Sequence, residues 1–132
     1  RRAIPINWKS DEKTVQEKTV EYAFAALKNK SGKYGFFNFL INIAPDCDCG
    51  DWNDSYIVPD IGVLASLDPV AIDVASVDLV NSAIPLPNSR LDNKMQAKDK
   101  FIAIHGKEWR FAIEYAEKIG LGSSKYEQIK IK

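Results

Sequence analysis

Ile57-Val58-Pro59-Asp60-Ile61-Gly62-Val63-Leu64-Ala65-Ser66-Leu67-Asp68-Pro69-Val70-Ala71-Ile72 is the stretch that sets the fold class. Its first part is apolar and interrupted by Pro59-Asp60, so it reads as a strand centred on Ile61 to Ala65. The chain then turns at Ser66-Leu67-Asp68-Pro69, where Asp68 is placed to cap a helix and Pro69 to take its first position. The helix predicted over 70–81 carries Val70, Ile72, Val74, Ala75, Val77, Leu79 and Val80 around nearly its whole circumference. A helix of that kind belongs in a core, with Val74 and Val77 almost fully enclosed. A strand that hands over directly to a buried helix points to an α/β arrangement.

Toward the N-terminus, residues 34–43 are dense in Phe, Leu and Ile and hold no charge, which predicts a strand covered on both faces by helices. Pro45 ends it. Further upstream, Ser10-Asp11-Glu12 opens a helix over 11–27 with Val20, Ala23, Phe24 and Leu27 as its apolar stripe, and Asn29 to Gly32 stops it. Toward the C-terminus, Pro85 and Pro87 make 84–88 a loop and the best candidate for a mobile segment. Helices are predicted over 92–104 and 107–119, the second ended by Gly120, and 125–131 reads as a short edge strand guarded by lysines. The expected whole is an α/β fold with a small, mainly parallel or mixed sheet flanked by helices, forming one domain over 1–132. Residues 1–9 are expected to be a linker or boundary segment.

Composition agrees with a globular chain, at 45% hydrophobic and 27% charged residues over 132 positions. No apolar window is long enough for a membrane span and the first residues do not resemble a signal peptide, so a cytoplasmic chain without membrane contact is expected. Zero net charge argues against a general attraction to nucleic acid. The charge is unevenly spread. Between Tyr34 and Ser89 there are eight Asp and no Lys, Arg or Glu, a formal charge of −8 against +8 for the flanks. A cation suits this block better than an anion.

Asp46-Cys47-Asp48-Cys49-Gly50-Asp51-Trp52-Asn53-Asp54 packs two thiols and four carboxylates into nine positions between two strands. Cysteines one residue apart can both reach a soft cation, and neighbouring carboxylates supply more donors. Cys47 and Cys49 are the candidate first ligands, with Asp54, Asp60 or His105 to complete the set. The alternative is that Asp, Asn and Gly make turns here and the cysteines are small buried residues. A strained Cys47–Cys49 disulfide and a redox-active thiol pair are weaker readings. His105, the only histidine, stands before Gly106 at a helix break. No P-loop, G-x-G-x-x-G or nucleophile triad is present, and whether the chain is an enzyme stays open.

Several of these segments together resemble a known family. Phe37-Asn38-Phe39, Pro45 to Cys49, Val58 to Ser66 and Asp68-Pro69-Val70-Ala71-Ile72-Asp73 follow one another in the order found in domain-of-unknown-function family 362, a group of iron-sulfur-associated proteins. His105, Trp109, Glu114 to Glu117, Gly120-Leu121-Gly122 and Tyr126-Glu127 look like its closing segment. The resemblance implies a ferredoxin-like insert with C-x-x-C-x-x-C spacing upstream. None of those cysteines is in this sequence, so either the chain is a variant that has lost the cluster or, as the expectation favours, it is the C-terminal part of a longer protein and an iron-sulfur cluster is expected only in the upstream segment. Two functions follow as expectations: a metal-associated domain of a redox protein, or a scaffold that packs on an upstream half or a protein partner. A homo-oligomer is a further expectation.

Overall fold

The computed structural model describes residues 10–47 and 52–131. Helix α1 (Glu12–Leu27) starts where Asp11, not Ser10, accepts the Thr14 amide at 2.9 Å and the Thr14 hydroxyl at 2.7 Å. Strand β1 (Phe36–Leu40) and strand β2 (Gly62–Ser66) pair antiparallel, with Phe37 opposite Ala65 and Phe39 opposite Val63. Helix α2 (Pro69–Ser82) follows its Asp68 cap and Pro69 as expected. The short helix α3 (Lys100–His105) and helix α4 (Arg110–Lys118) complete the order.

This is a small α/β fold. The sheet among the described residues has two antiparallel strands, where three in a mainly parallel or mixed sheet were expected. Residues 125–131 form no strand; Ile129 and Ile131 lie in solvent, and Tyr126 ties the segment to α2 through Asp78 at 2.7 Å. The helix expected over 92–104 is a single 3-10 turn over Asp92–Lys94 followed by α3 after a break. Asp99 explains the break: its carboxylate caps α3 through the Ile102 amide, so a new helix starts there.

Helix α2 is the wall between two small cores. On its sheet side Leu40, Ile57, Val58, Val80 and Leu91 are buried together, with Leu64, Phe101 and Ile104 packed on them. On its other side Val70 meets Val20 of α1 and Ala116 of α4, with Val74, Ala112 and Leu121 around them. Val74 and Val77 are only half-buried, against the expectation of full enclosure, because Asp73 and Asp78 keep part of the helix in water. The apolar stripe read on α1 is likewise narrower: Val20 is buried, but Ala23 and Phe24 are exposed, since α1 packs chiefly on α4. Gln16 fastens that pair, donating to the Glu108 carbonyl at 2.8 Å and accepting from the Ala112 amide at 3.0 Å.

The proline loop 84–88 is hydrogen-bonded to its neighbours at Leu86. The Leu86 amide donates to the Ile57 carbonyl at 2.9 Å, and Ser89 donates back to the Leu86 carbonyl. Lys100, at the start of α3, is almost fully buried, with its ammonium donating to the Asn81 carbonyl at the end of α2; burial pushes its pKa down.

Candidate functional site

The segment between the strands leaves β1 through Asn42, a left-handed residue whose amide donates to Asp60 Oδ1 at 2.8 Å. Ile57 N–H to Ile43 O and Ile61 N–H to Leu40 O, both 2.8 Å, hold the two stems of the loop side by side. Pro45 is buried, and Arg90 pairs with Asp46 next to it. Cys47 follows on the surface. Asn53 accepts the Asp54 amide and Asp54 accepts the Ser55 amide, so both side chains act as turn formers. The returning arm lines a shallow open cleft of ≈ 610 Å³ with Leu86 and Pro87.

Of the expected metal ligands, Cys47, Asp54 and His105 are exposed in the described structure, and Asp60 is exposed while holding the Asn42 amide. Cys49 lies outside the described residues, as does the expected segment 1–9. Among the described residues no three His, Cys, Asp or Glu side chains come together in a way that could hold a metal ion. His105 stands at the end of α3, where Gly106 in the left-handed region stops the helix. No helix among the described residues is long and apolar enough to cross a membrane.

A second feature was not anticipated. Side chains alternate across a strand, so Phe37, Phe39 and Ile41 share one face of the sheet with Val63, Ala65 and Leu67. All six are exposed: Phe37 and Phe39 at 65%, Val63 at 55%, Ile41 at 44% and Leu67 at 76%, with Ala65 between them. These side chains leave roughly 500 Å² of apolar surface in water, near the upper end of what monomeric proteins show. The opposite face is the covered one, and it carries the polar residue. Asn38 points toward α2, where it donates to Asp73 at 3.0 Å and Ser76 at 2.9 Å.

Sequence reasoning placed the strand but assumed cover on both faces, because an uncharged aromatic run gives no mark of exposure. The available signal was Asn38 in register with Asp73 and Ser76 one turn apart. A polar side chain with partners waiting on a helix identifies the helix-covered side, and by alternation leaves the phenylalanines on the other.

The fold and site together define a small α/β fold with exposed Cys47 in the segment that leaves β1 and an uncovered apolar sheet face. A family model described as Domain of unknown function (DUF362) matches residues 3–78, more than half of the chain, and the chain belongs to that family. Comparisons with curated proteins and with solved structures gave no match.

Proposed function

We propose that this chain is an interaction module whose uncovered sheet face is closed by a protein surface when it works. The observation that carries the reading is the row of Phe37, Phe39, Ile41, Val63 and Leu67 on a face with no charged side chain in the strands. Removing about 500 Å² of apolar surface from water is worth about 12 kcal/mol before the cost of association, enough to hold a partner. An upstream ferredoxin-like segment is one surface of the right kind, since a sheet with helices on one side only is completed by another layer.

An apolar fluorescent dye tests this. Diluted well below a micromolar, where any partner copy has dissociated, the chain should bind it strongly, and Phe37→Ser with Phe39→Ser should cut the signal severalfold while leaving the melting temperature at that dilution unchanged within about 2 °C. Absence of dye binding, or a variant that melts far lower, would refute an exposed face.

A metal-holding role for Cys47 and Cys49 is the second reading, favoured by the surface position of Cys47 in the segment that also holds Asp46 and Asp54. Untagged protein should then carry zinc or iron that Cys47→Ser and Cys49→Ser both lose. Equal, negligible metal in all three samples would end that reading.

A further inference from the structure

The uncovered sheet face has opposite charges at its two ends. Before β1 stand Lys28, Lys30 and Lys33, all exposed and without an ion pair among the described residues. Because the strands are antiparallel, this basic end lies beside Leu67, the residue after β2. The other end, after β1 and before β2, carries exposed Asp54 and Asp60, with Arg90 paired to Asp46 of the same segment. Between the ends lie the phenylalanines.

We infer that the occupant of this face is a second copy of the chain, packed sheet to sheet about a two-fold axis that runs across the strands. This rests on the reading of the face as a docking surface and names its partner. A two-fold axis makes the same patch meet itself. If the axis ran along the strands, lysines would face lysines and aspartates aspartates, which is disfavoured. With the axis across the strands, the strands of the two copies run in opposite senses, and the lysine end of each copy meets the acidic end of the other. Phe37, Phe39 and Val63 of the two copies then interdigitate at the centre, at the spacing of about 10 Å usual for stacked sheets. The apolar patch supplies roughly 500 Å² of the roughly 800 Å² per partner found in standard interfaces, and the two charged ends extend it toward that size.

Sedimentation velocity of the full chain over a concentration series tests the proposal. The wild type should be dimeric at tens of micromolar and should dissociate more readily in high salt, since the charged ends are screened. Phe39→Glu, which puts two carboxylates near the axis at an already exposed position, should weaken the dimer at least 100-fold with an unchanged far-ultraviolet circular dichroism spectrum. Lys33→Glu should weaken it about tenfold, and adding Asp60→Lys to Lys33→Glu should restore most of the loss, because each dimer then regains two opposite-charge contacts. A wild type that stays monomeric at these concentrations, or a dimer that Phe39→Glu leaves intact, overturns the proposal. A monomer that still binds the apolar dye overturns the second copy alone, and a monomer that does not bind it overturns the docking face as well.

Discussion

Asp68 joins three parts of the chain, and its removal should destabilise the protein in a way that distinguishes a clasp from a reactive group. One carboxylate oxygen accepts the Val70 and Ala71 amides at 2.8 and 3.0 Å, and the other accepts the Ser123 amide at 2.9 Å. The cap is worth about 1 kcal/mol and the charged bond to Ser123, partly open to solvent, about 1 to 1.5 kcal/mol. Asp68→Ala should therefore cost about 2 to 2.5 kcal/mol, close to 10 °C in melting temperature for a chain of this length. Asp68→Asn keeps an acceptor for the cap but turns a donor toward Ser123, so it should cost about half as much. Gly122 packs against the same carboxylate: a Cβ there would fall 2.2 Å from Asp68 Oδ1 and 2.9 Å from a methyl of Val70. Gly122→Ala should cost about 1 to 3 kcal/mol alone and about 1 kcal/mol less in the Asp68→Ala background, where the closest clash is gone. Urea unfolding of the four proteins gives the coupling directly. Costs that add within about 0.3 kcal/mol, or an Asn variant as unstable as the Ala variant, would refute the clasp.

Two other perturbations follow from burial and charge. Leu91 is 0% exposed in the sheet-side core, so Leu91→Ala should cost about 2 to 5 kcal/mol by chemical unfolding, whereas half-buried Leu79→Ala should cost about 1 to 2 kcal/mol; equal losses would contradict the core assignment. For Asp99, burial raises the carboxyl pKa, but hydrogen bonds from the Ile102 amide, Trp109 Nε1 and Arg110, with the guanidinium charge, outweigh it and leave the pKa below its ordinary value. A carboxyl lowered in the folded state contributes stability that is present above about pH 4 and lost as pH falls through its folded value. Asp99→Asn should flatten the acid side of the stability curve below about pH 4, and an unchanged acid limb would count against this cluster.

The strand and helix order was legible because local chemistry fixed it. Asp68-Pro69 sets the start of α2 through a capping side chain and a residue suited to the first turn, and Gly120 with φ of 76° marks the end of the last helical segment. What sequence alone misjudged depends on partners far along the chain. The apolar run of β1 looks the same whether one face or two are covered, and the tail at 125–131 alternates as a strand does but pairs with no strand among the described residues. Val77 carries a core side chain on a helix flanked by Asp73 and Asp78, and only the packing of α4 and the sheet decides how much of it is enclosed.

The acidic block shows why counting charges overstates a site. Six of its eight aspartates lie in the described residues, and each accepts a hydrogen bond from the protein. Asp46 takes Arg90, Asp54 the Ser55 amide, Asp60 the Asn42 amide, Asp68 the start of α2, Asp73 the Asn38 amide group, and Asp78 the Tyr126 hydroxyl. These are the turns, caps and tethers for which short acidic side chains are chosen, so the negative charge of the block follows from its architecture before any ligand is invoked. If a cation is held at the loop, as the second reading above proposes, Cys47 and Cys49 are the thiolate donors that reading gives it. Thiols bind metal as thiolates and release protons on binding. Zinc affinity should accordingly rise with pH across the range in which thiols ionise, and Asp54→Asn should change it far less than Cys47→Ser does. Titration of the wild type and both variants with zinc at two pH values separates the cases: a pH-independent affinity lost equally in Asp54→Asn would mean that carboxylates hold the ion after all.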